Sequence, residues 1–174
     1  MVYIDGSWDL FHVGHAKTLE AAKAMGTFLI VGLHDDVTVN QYKGSNYPIM
    51  NLQERALCVM AQRSVDEVVM GAPWTITEDI IKSFNISYVV QGTIPKTSVE
   101  AKLFRKGSVD VDADPFVVPK NLGIYREVTS SVSLETKDIV ERIIDNRLNY
   151  VQKFMKKNEA ELDYYKNKVF LEEY

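Results

Sequence analysis

Two of the chain's three histidines, His12 and His15, flank Gly14 in a segment near the start of the sequence. The segment follows a short apolar stretch, residues 2–6, and precedes a run with helical spacing. The first N–H groups of a helix lack partners, and the helix dipole places partial positive charge there, so phosphate binds such an end readily. Two imidazoles would add hydrogen-bond donors, and the glycine would let a phosphate approach the backbone. The pattern indicates chemistry at a phosphate, with capping or surface histidines as the alternative.

The residues around this segment predict alternating strands and helices. A strand over residues 2–5 and a helix over residues 14–25 are followed by a continuous apolar run at residues 27–33, typical of a parallel strand covered on both faces. The elements predicted next are a helix over 35–41, a loop over 42–48, a helix from the cap Asn51 to about 62, a strand over 67–70, a helix over 77–84, and strands over 88–91 and 124–128. This order predicts an α/β fold: a Rossmann-like, doubly wound parallel sheet flanked by helices.

The regular pattern stops between residues 92 and 122, a stretch that includes an acidic run at 110–114. A long structureless segment in a compact domain is usually functional or mobile. From residue 133 onward the pattern is helical, and its positions expected to be buried are Ile139, Ile143, Leu148, Val151 and Phe154. We therefore assign residues 1–150 to a nucleotide-binding domain and residues 151–174 to a charged C-terminal helical extension.

Composition limits the classes of function. With 174 residues, 46% hydrophobic and 25% charged, the chain is expected to form one soluble domain with its own core. A net charge of −4 argues against a general nucleic-acid surface. The single cysteine, Cys58, excludes an intrachain disulfide and is expected in the core. Since membrane-spanning runs, a signal-peptide pattern and zinc or redox spacings are lacking, the sequence predicts a cytoplasmic protein without a protein metal site.

The segment from Asp9 to His15 resembles the H-x-G-H motif of the nucleotidyltransferase superfamily. Class I aminoacyl-tRNA synthetases share that motif, but their K-M-S-K-S-type lysine loop has no convincing match in this sequence. Two further segments, residues 63–69 and Ala72-Pro73-Trp74, are similar to the cytidylyltransferases. The resemblance therefore narrows to the cytidylyltransferase family.

Within that family, residues 32–35 and 42–55 are most similar to the enzymes that act on phosphoethanolamine. Those enzymes contain two tandem catalytic-type domains, and the chain most resembles the second, C-terminal one. The resemblance covers residues 2–150. It implies that the chain is part of a longer protein with a second cytidylyltransferase domain, and it leaves a homo-oligomer open.

The resemblance implies transfer of CMP from CTP to phosphoethanolamine, giving CDP-ethanolamine and pyrophosphate in phosphatidylethanolamine synthesis. The attacking phosphomonoester is largely ionised near neutral pH because its second pKa is about 6, so no general base is needed. Positive charge on the phosphates and in-line alignment are needed instead. The resemblance implies catalytic roles for His12, His15 and Lys43, and Mg²⁺ is expected with CTP. It implies nucleotide or substrate binding by Gly6, Ser7, Asp9, Gly14, Arg63, Trp74, Gln91 and Thr136.

Two stretches depart from the family pattern. Ser130 stands where the late motif of the family has an arginine, and Glu135 brings negative charge to a position expected near phosphates, whereas Thr136 keeps a hydroxyl. The histidine-and-acid segment after the fourth strand is replaced by residues 91–93, which contain neither. Two interpretations stay open: an active phosphoethanolamine cytidylyltransferase domain, or a catalytically degenerate regulatory or structural domain of the same enzyme. A choline-phosphate or glycerol-3-phosphate cytidylyltransferase is a weaker alternative.

Overall fold

The computed structural model describes residues 1–44, 46–93 and 114–169. The residues up to Thr136 form one compact unit, and those from Lys137 onward form a second, helical one. Most of the acidic run at 110–114 lies outside the described residues. None of the helices in the described ranges is long and apolar enough to cross a bilayer.

The first unit is built on five parallel strands in the order β3-β2-β1-β4-β5. The strands are β1 (Val2–Gly6), β2 (Leu29–Leu33), β3 (Glu67–Met70), β4 (Tyr88–Thr93) and β5 (Tyr125–Thr129). Because β2 and β3 extend the sheet on one side of β1 and β4 and β5 on the other, the strand order reverses between β1 and β4. Ligands in such sheets bind at the carboxyl ends of the strands beside this reversal.

Helices of the first unit cover both faces of this sheet, which confirms the predicted doubly wound α/β class. The helices in the described part of the chain are α1 (Val13–Lys23), α2 (Asp36–Lys43), α3 (Leu52–Met60), α4 (Glu78–Ser83), α5 (Val117–Asn121), α6 (Thr136–Asp145) and α7 (Arg147–Asn167). Leu19 of α1 and Val59 of α3 pack with Ile4 on one face. Tyr3 packs with Ile81 of α4 on the other face, as the alternation of side chains along β1 requires.

Three local predictions are corrected by the structure. Lys43 does not lie in a loop but ends α2, and the helix stops at Gly44, whose φ is 102°. Helix α5 lies within the stretch that was expected to be irregular. Cys58 is only partly buried, because α3 turns Ala56 and Val59 toward the core instead.

The prediction of buried apolar positions along the last helix is wrong. The helical stretch is two helices with Asn146 between them, and neither α6 nor α7 buries a residue. Ile139 is partly exposed, and the other four positions are 45–75% exposed: Ile143, Leu148, Val151 and Phe154. Helical apolar spacing predicts a face that requires a partner, but it does not say that the partner belongs to the same domain.

Candidate functional site

The loop between β1 and α1 holds the predicted phosphate-binding residues on a strained backbone. Trp8 and Leu10 have φ values of 54° and 45°, which non-glycine residues rarely adopt. The Trp8 indole Nε1 donates to the Gly32 carbonyl at 3.0 Å, and its ring would lie 3.2 Å from a Cβ at Gly6. Surrounding structure must stabilise such strain, which often occurs at functional sites.

His12 is the N-cap of α1. Its backbone is extended, and its Nδ1 accepts the N–H of Gly14 at 3.1 Å. Because Nδ1 accepts, the proton of the neutral ring is on Nε2. His12 therefore caps the helix with one nitrogen and has an N–H on the other, so capping and phosphate binding are compatible.

His15 stacks on His12, with ring centroids 3.8 Å apart and planes at 22°. Trp8 and Phe11 flank it, each with a ring centroid 5.4 Å away. Burial, followed by the electrostatic effects of His12 and Lys43, lowers the pKa of His15 to about 3. His15 is therefore neutral near pH 7 and would act on a phosphate as a hydrogen-bond donor rather than as a cation. Its Nδ1 is buried and has no hydrogen-bond partner among the described residues.

Lys43 brings a cation to the same loop. Its stem is exposed, but its ammonium group turns inward and donates to Ser7 Oγ at 2.6 Å. Burial of that group lowers the pKa of Lys43, whereas the Asp9 carboxylate acts in the opposite direction. The structure thus places Ser7 and Lys43 together beyond the carboxyl end of β1, close enough to His15 to affect its pKa.

Asp9 is fully buried and holds two loops together. Its carboxylate accepts the backbone N–H groups of Leu10, Ile49 and Met50 at 3.0, 2.8 and 2.9 Å. Its carbonyl accepts the Thr136 hydroxyl at 3.0 Å. These contacts indicate that Asp9 and Thr136 shape the site and stabilise it through the backbone.

Arg55 was not predicted as a site residue, yet it is the largest fully buried side chain among the described residues. Its guanidinium donates to the carbonyls of Met50, Ser7 and His34 at 3.1, 2.6 and 2.8 Å and to the Asp36 carboxylate at 2.7 Å. The sequence did contain a sign of this burial, because Arg55 lies on the apolar face of the predicted helix, with Ala56 and Val59. Arg55 therefore holds the backbone of Ser7 in the position from which the Ser7 hydroxyl accepts a hydrogen bond from Lys43.

The segment that departs from the family pattern packs directly on the start of α1. The Ser130 hydroxyl donates to the carbonyls of Gly14 and Val132 at 3.3 and 2.9 Å. A Cβ at Gly14 would lie 2.8 Å from the Leu134 carbonyl oxygen, so only glycine fits this approach. Because Gly14 has no side chain, the backbone at Leu134 can pack against the start of α1, which is where the sequence predicted a phosphate.

Trp74 lies in an aromatic cluster after β3. Its ring stacks on Tyr42 at 3.9 Å with an interplanar angle of 7°, and His34 lies 5.2 Å away. One face of Trp74 is therefore covered and is not available to an ammonium group. Tyr42, next to Lys43, was not selected from the sequence.

Gln91 and Arg63 are not part of the histidine cluster. Gln91 lies on β4 and accepts the Tyr125 hydroxyl at 2.5 Å; that hydroxyl also lies 2.8 Å from the Glu127 carboxylate. Arg63 is exposed in the turn before β3, at the amino edge of the sheet, whereas His12 follows the carboxyl end of β1. The structure does not bring Arg63 to the predicted phosphate site.

Asp5 is a site residue that sequence reasoning missed. Burial raises its pKa to about 7, and its Oδ2 is buried with no hydrogen-bond partner in the described part of the chain. It lies on β1 opposite Gly32 of β2, on the same face as Tyr3. The sequence offered a sign of this residue, because Asp5 is an acidic residue within an otherwise apolar strand. Its strand position places this carboxyl beside the reversal of strand order, where ligands of such sheets bind.

The fold and these residues define a Rossmann-like domain with an H-x-G-H segment at the first strand-to-helix junction. The chain belongs to the family described as Cytidylyltransferase-like, whose model matches residues 3–113.

The chain is 48% identical over 164 residues to the ethanolamine-phosphate cytidylyltransferase of Dictyostelium discoideum, which covers 94% of this chain and 43% of that protein. The enzyme of the same name from Arabidopsis thaliana is 43% identical, with 98% and 39% covered. Choline-phosphate cytidylyltransferase A of Homo sapiens is 37% identical, with 82% and 36% covered. The chain thus spans about two-fifths of the length of these relatives.

A crystal structure of a lipopolysaccharide core biosynthesis protein from Thermoplasma volcanium GSS1 matches with a TM-score of 0.51 at 20% identity. The match covers 77% of this chain and 97% of that one. It shows that the two proteins share a fold.

Proposed function

We propose that this chain is a cytidylyltransferase domain that transfers CMP from CTP to phosphoethanolamine, producing CDP-ethanolamine and pyrophosphate. The observation that carries the proposal is the stacked pair of His12 and His15 at the start of α1, with the Lys43 ammonium group directed at the same loop. The ethanolamine-phosphate cytidylyltransferases of Dictyostelium discoideum and Arabidopsis thaliana, at 48% and 43% identity, are more similar to the chain than the choline-phosphate enzyme of Homo sapiens, at 37%.

In the proposed reaction a phosphoethanolamine oxygen bonds to the α-phosphorus of CTP, and the bond from that phosphorus to the bridging oxygen breaks. The imidazoles of His12 and His15 donate hydrogen bonds to the phosphates of CTP, and the helix end adds partial positive charge. Lys43 supplies a full positive charge for the departing pyrophosphate. Binding an anion would favour the charged form of Lys43, whose pKa burial lowers in the free protein.

We place the ammonium group of phosphoethanolamine against Asp5. This residue has a buried carboxylate oxygen without a partner among the described residues, whereas one face of Trp74 is covered by Tyr42. Because the pKa of Asp5 is about 7, the carboxylate form and the affinity for the ammonium group should both increase as the pH rises through that value.

The Mg²⁺ expected with CTP would be held by the triphosphate. Among the described residues no cluster of three or more histidine, cysteine or acidic side chains is placed to hold a metal ion, and the Asp9 carboxylate already accepts three backbone N–H groups. Mg²⁺ commonly keeps several waters and binds through substrate phosphates, so this arrangement is chemically adequate.

Turnover of CTP with phosphoethanolamine and with phosphocholine, measured alongside calorimetry of CMP and CDP-ethanolamine, tests the proposal. Lys43→Met should reduce turnover about 100-fold, a magnitude typical of losing one electrostatic contact in a transition state. Lys17→Met, which changes an exposed lysine on α1, is the matched control. If Lys43→Met has no greater effect than Lys17→Met, or if phosphocholine is the better substrate, the proposal fails.

A second function, a catalytically degenerate domain that binds cytidine nucleotides, is favoured by the contacts of Ser130. Its hydroxyl bonds to backbone carbonyls at the position where a cation is expected in the family. Such a domain would bind CMP without turnover. The second domain of a longer parent protein and the cytoplasmic location remain predictions.

A further inference from the structure

Helix α7 presents an exposed apolar face. It buries none of its 21 residues. Five of its exposed apolar residues, Leu148, Val151, Met155, Leu162 and Tyr165, are 45–75% exposed and lie along one side of the helix. Most helical stability in proteins comes from packing an apolar face, so a helix of this composition requires a partner surface.

The spacing of these residues identifies the kind of partner. Together with Asn158 they occupy positions 148, 151, 155, 158, 162 and 165, alternately three and four residues apart. This is the repeat of the a and d positions of a coiled coil, and a single polar residue at such a position commonly fixes register. The surface is therefore suited to another helix with the same repeat.

The distribution of charge identifies the orientation. The first half of α7, residues 147–157, carries four basic residues and no acidic residue. The second half, residues 158–167, carries three acidic residues and one basic residue. An antiparallel copy places each basic half beside an acidic half, whereas a parallel copy places the two basic halves together.

We propose that α7 pairs with the α7 helix of a second copy of this chain in an antiparallel coiled coil. A twofold axis between residues 156 and 157 aligns every layer. Leu148 then faces Tyr165 of the second copy, Val151 faces Leu162, and Met155 faces Asn158. This pairing covers the apolar face with the same face of another copy and depends on no property of the nucleotide site.

Sedimentation equilibrium of the whole chain tests the association. Leu162→Glu should weaken dimerisation at least about tenfold, because it buries an unpaired carboxylate in the interface. Ala160→Glu, two positions away on the outer side of the same repeat, adds the same charge to the same exposed helix and should leave the dimer intact. A monomeric chain, or equal effects of the two variants, would overturn the proposal.

Disulfide formation tests the orientation in chains that carry Cys58→Ser. Residues 148 and 165 are separated by about 25 Å along the helix, far beyond the reach of a disulfide. In an antiparallel dimer, chains with Leu148→Cys should link to chains with Tyr165→Cys, and neither variant should link to itself. Self-linking of Leu148→Cys would indicate a parallel pair, and a dimer without either linkage would place the interface elsewhere.

Discussion

Arg55→Lys should lower the free energy of unfolding by about 3–5 kcal/mol even though it keeps the positive charge. Arg55 is fully buried and donates to three backbone carbonyls and one carboxylate. The carbonyls belong to Ser7, His34 and Met50, which lie on separate segments. A guanidinium presents five N–H donors in a planar fork, whereas an ammonium is a single point and cannot reach all three segments.

The magnitude follows from the number of acceptors left without a donor. A buried polar group that loses its partner costs about 1–3 kcal/mol, so orphaning two or three carbonyls gives several kcal/mol. Local relaxation keeps the total near the lower end of that sum, within the range known for breaking buried charged networks. Arg55→Met should be similarly destabilising, because the same carbonyls lose their donors.

Urea unfolding of the two Arg55 variants, with Asp36→Ala as the matched control, measures the effect. Asp36→Ala removes the carboxylate but leaves the three carbonyl contacts of Arg55 in place, so it should cost about 1–3 kcal/mol, less than Arg55→Lys. An Arg55→Lys variant no less stable than Asp36→Ala would refute the assignment of stability to the carbonyl contacts. If Arg55→Met were much less destabilising than Arg55→Lys, the buried charge would be the cause and not the lost hydrogen bonds.

Three further results are expected. Between pH 6.5 and pH 3, the free energy of unfolding of the natural chain should fall as the pH is lowered, because His15 binds a proton in the unfolded state but not in the folded state. The fall should be steeper than that of His15→Asn by up to about 1.4 kcal/mol per pH unit. Equal pH dependence of the two proteins would contradict this expectation. Gly14→Ala should cost about 1–3 kcal/mol in urea unfolding, since its Cβ would lie 2.8 Å from the Leu134 carbonyl oxygen; a stabilised variant would exclude that contact. Gly32→Ala should lower the melting temperature, since its Cβ would overlap the Tyr3 hydroxyl; an unchanged melting temperature would show that this hydroxyl moves aside without cost.

The sheet was predictable because parallel strands are marked by short apolar runs. The run that includes β2 is continuous, and all five residues of that strand are buried in the structure. The end of α2 was placed too early, although Gly44 supplied a stop signal directly after Lys43. The error matters for the site, because a lysine at the end of a helix has a fixed backbone from which to reach Ser7.

The buried charged groups of the site were less predictable. Whether an acidic residue within a strand is exposed or enclosed depends on the neighbouring strands, and for Asp5 the relevant neighbour is Gly32. Arg55 lay within a recognised motif, but its partners belong to segments 5 to 48 residues away in the sequence. Tertiary pairing determines such contacts, and local sequence patterns do not describe it.

The contacts of the segment after β5 assign two of its hydroxyls to the structure of the site, so the proposed nucleotide binding and the proposed catalysis rest on other residues. The Ser130 and Thr136 hydroxyls donate to backbone carbonyls in the structure, so they stabilise the loop around Gly14 and Asp9. In the proposed function the α1 helix end and the histidines hold phosphate in the ground state, which contributes to affinity. A higher rate requires interactions that strengthen as charge moves onto pyrophosphate, and in the proposed reaction the Lys43 ammonium group, which contacts Ser7, supplies that interaction. The active and degenerate interpretations therefore differ in the measured contribution of Lys43 to turnover, whereas nucleotide affinity is common to both.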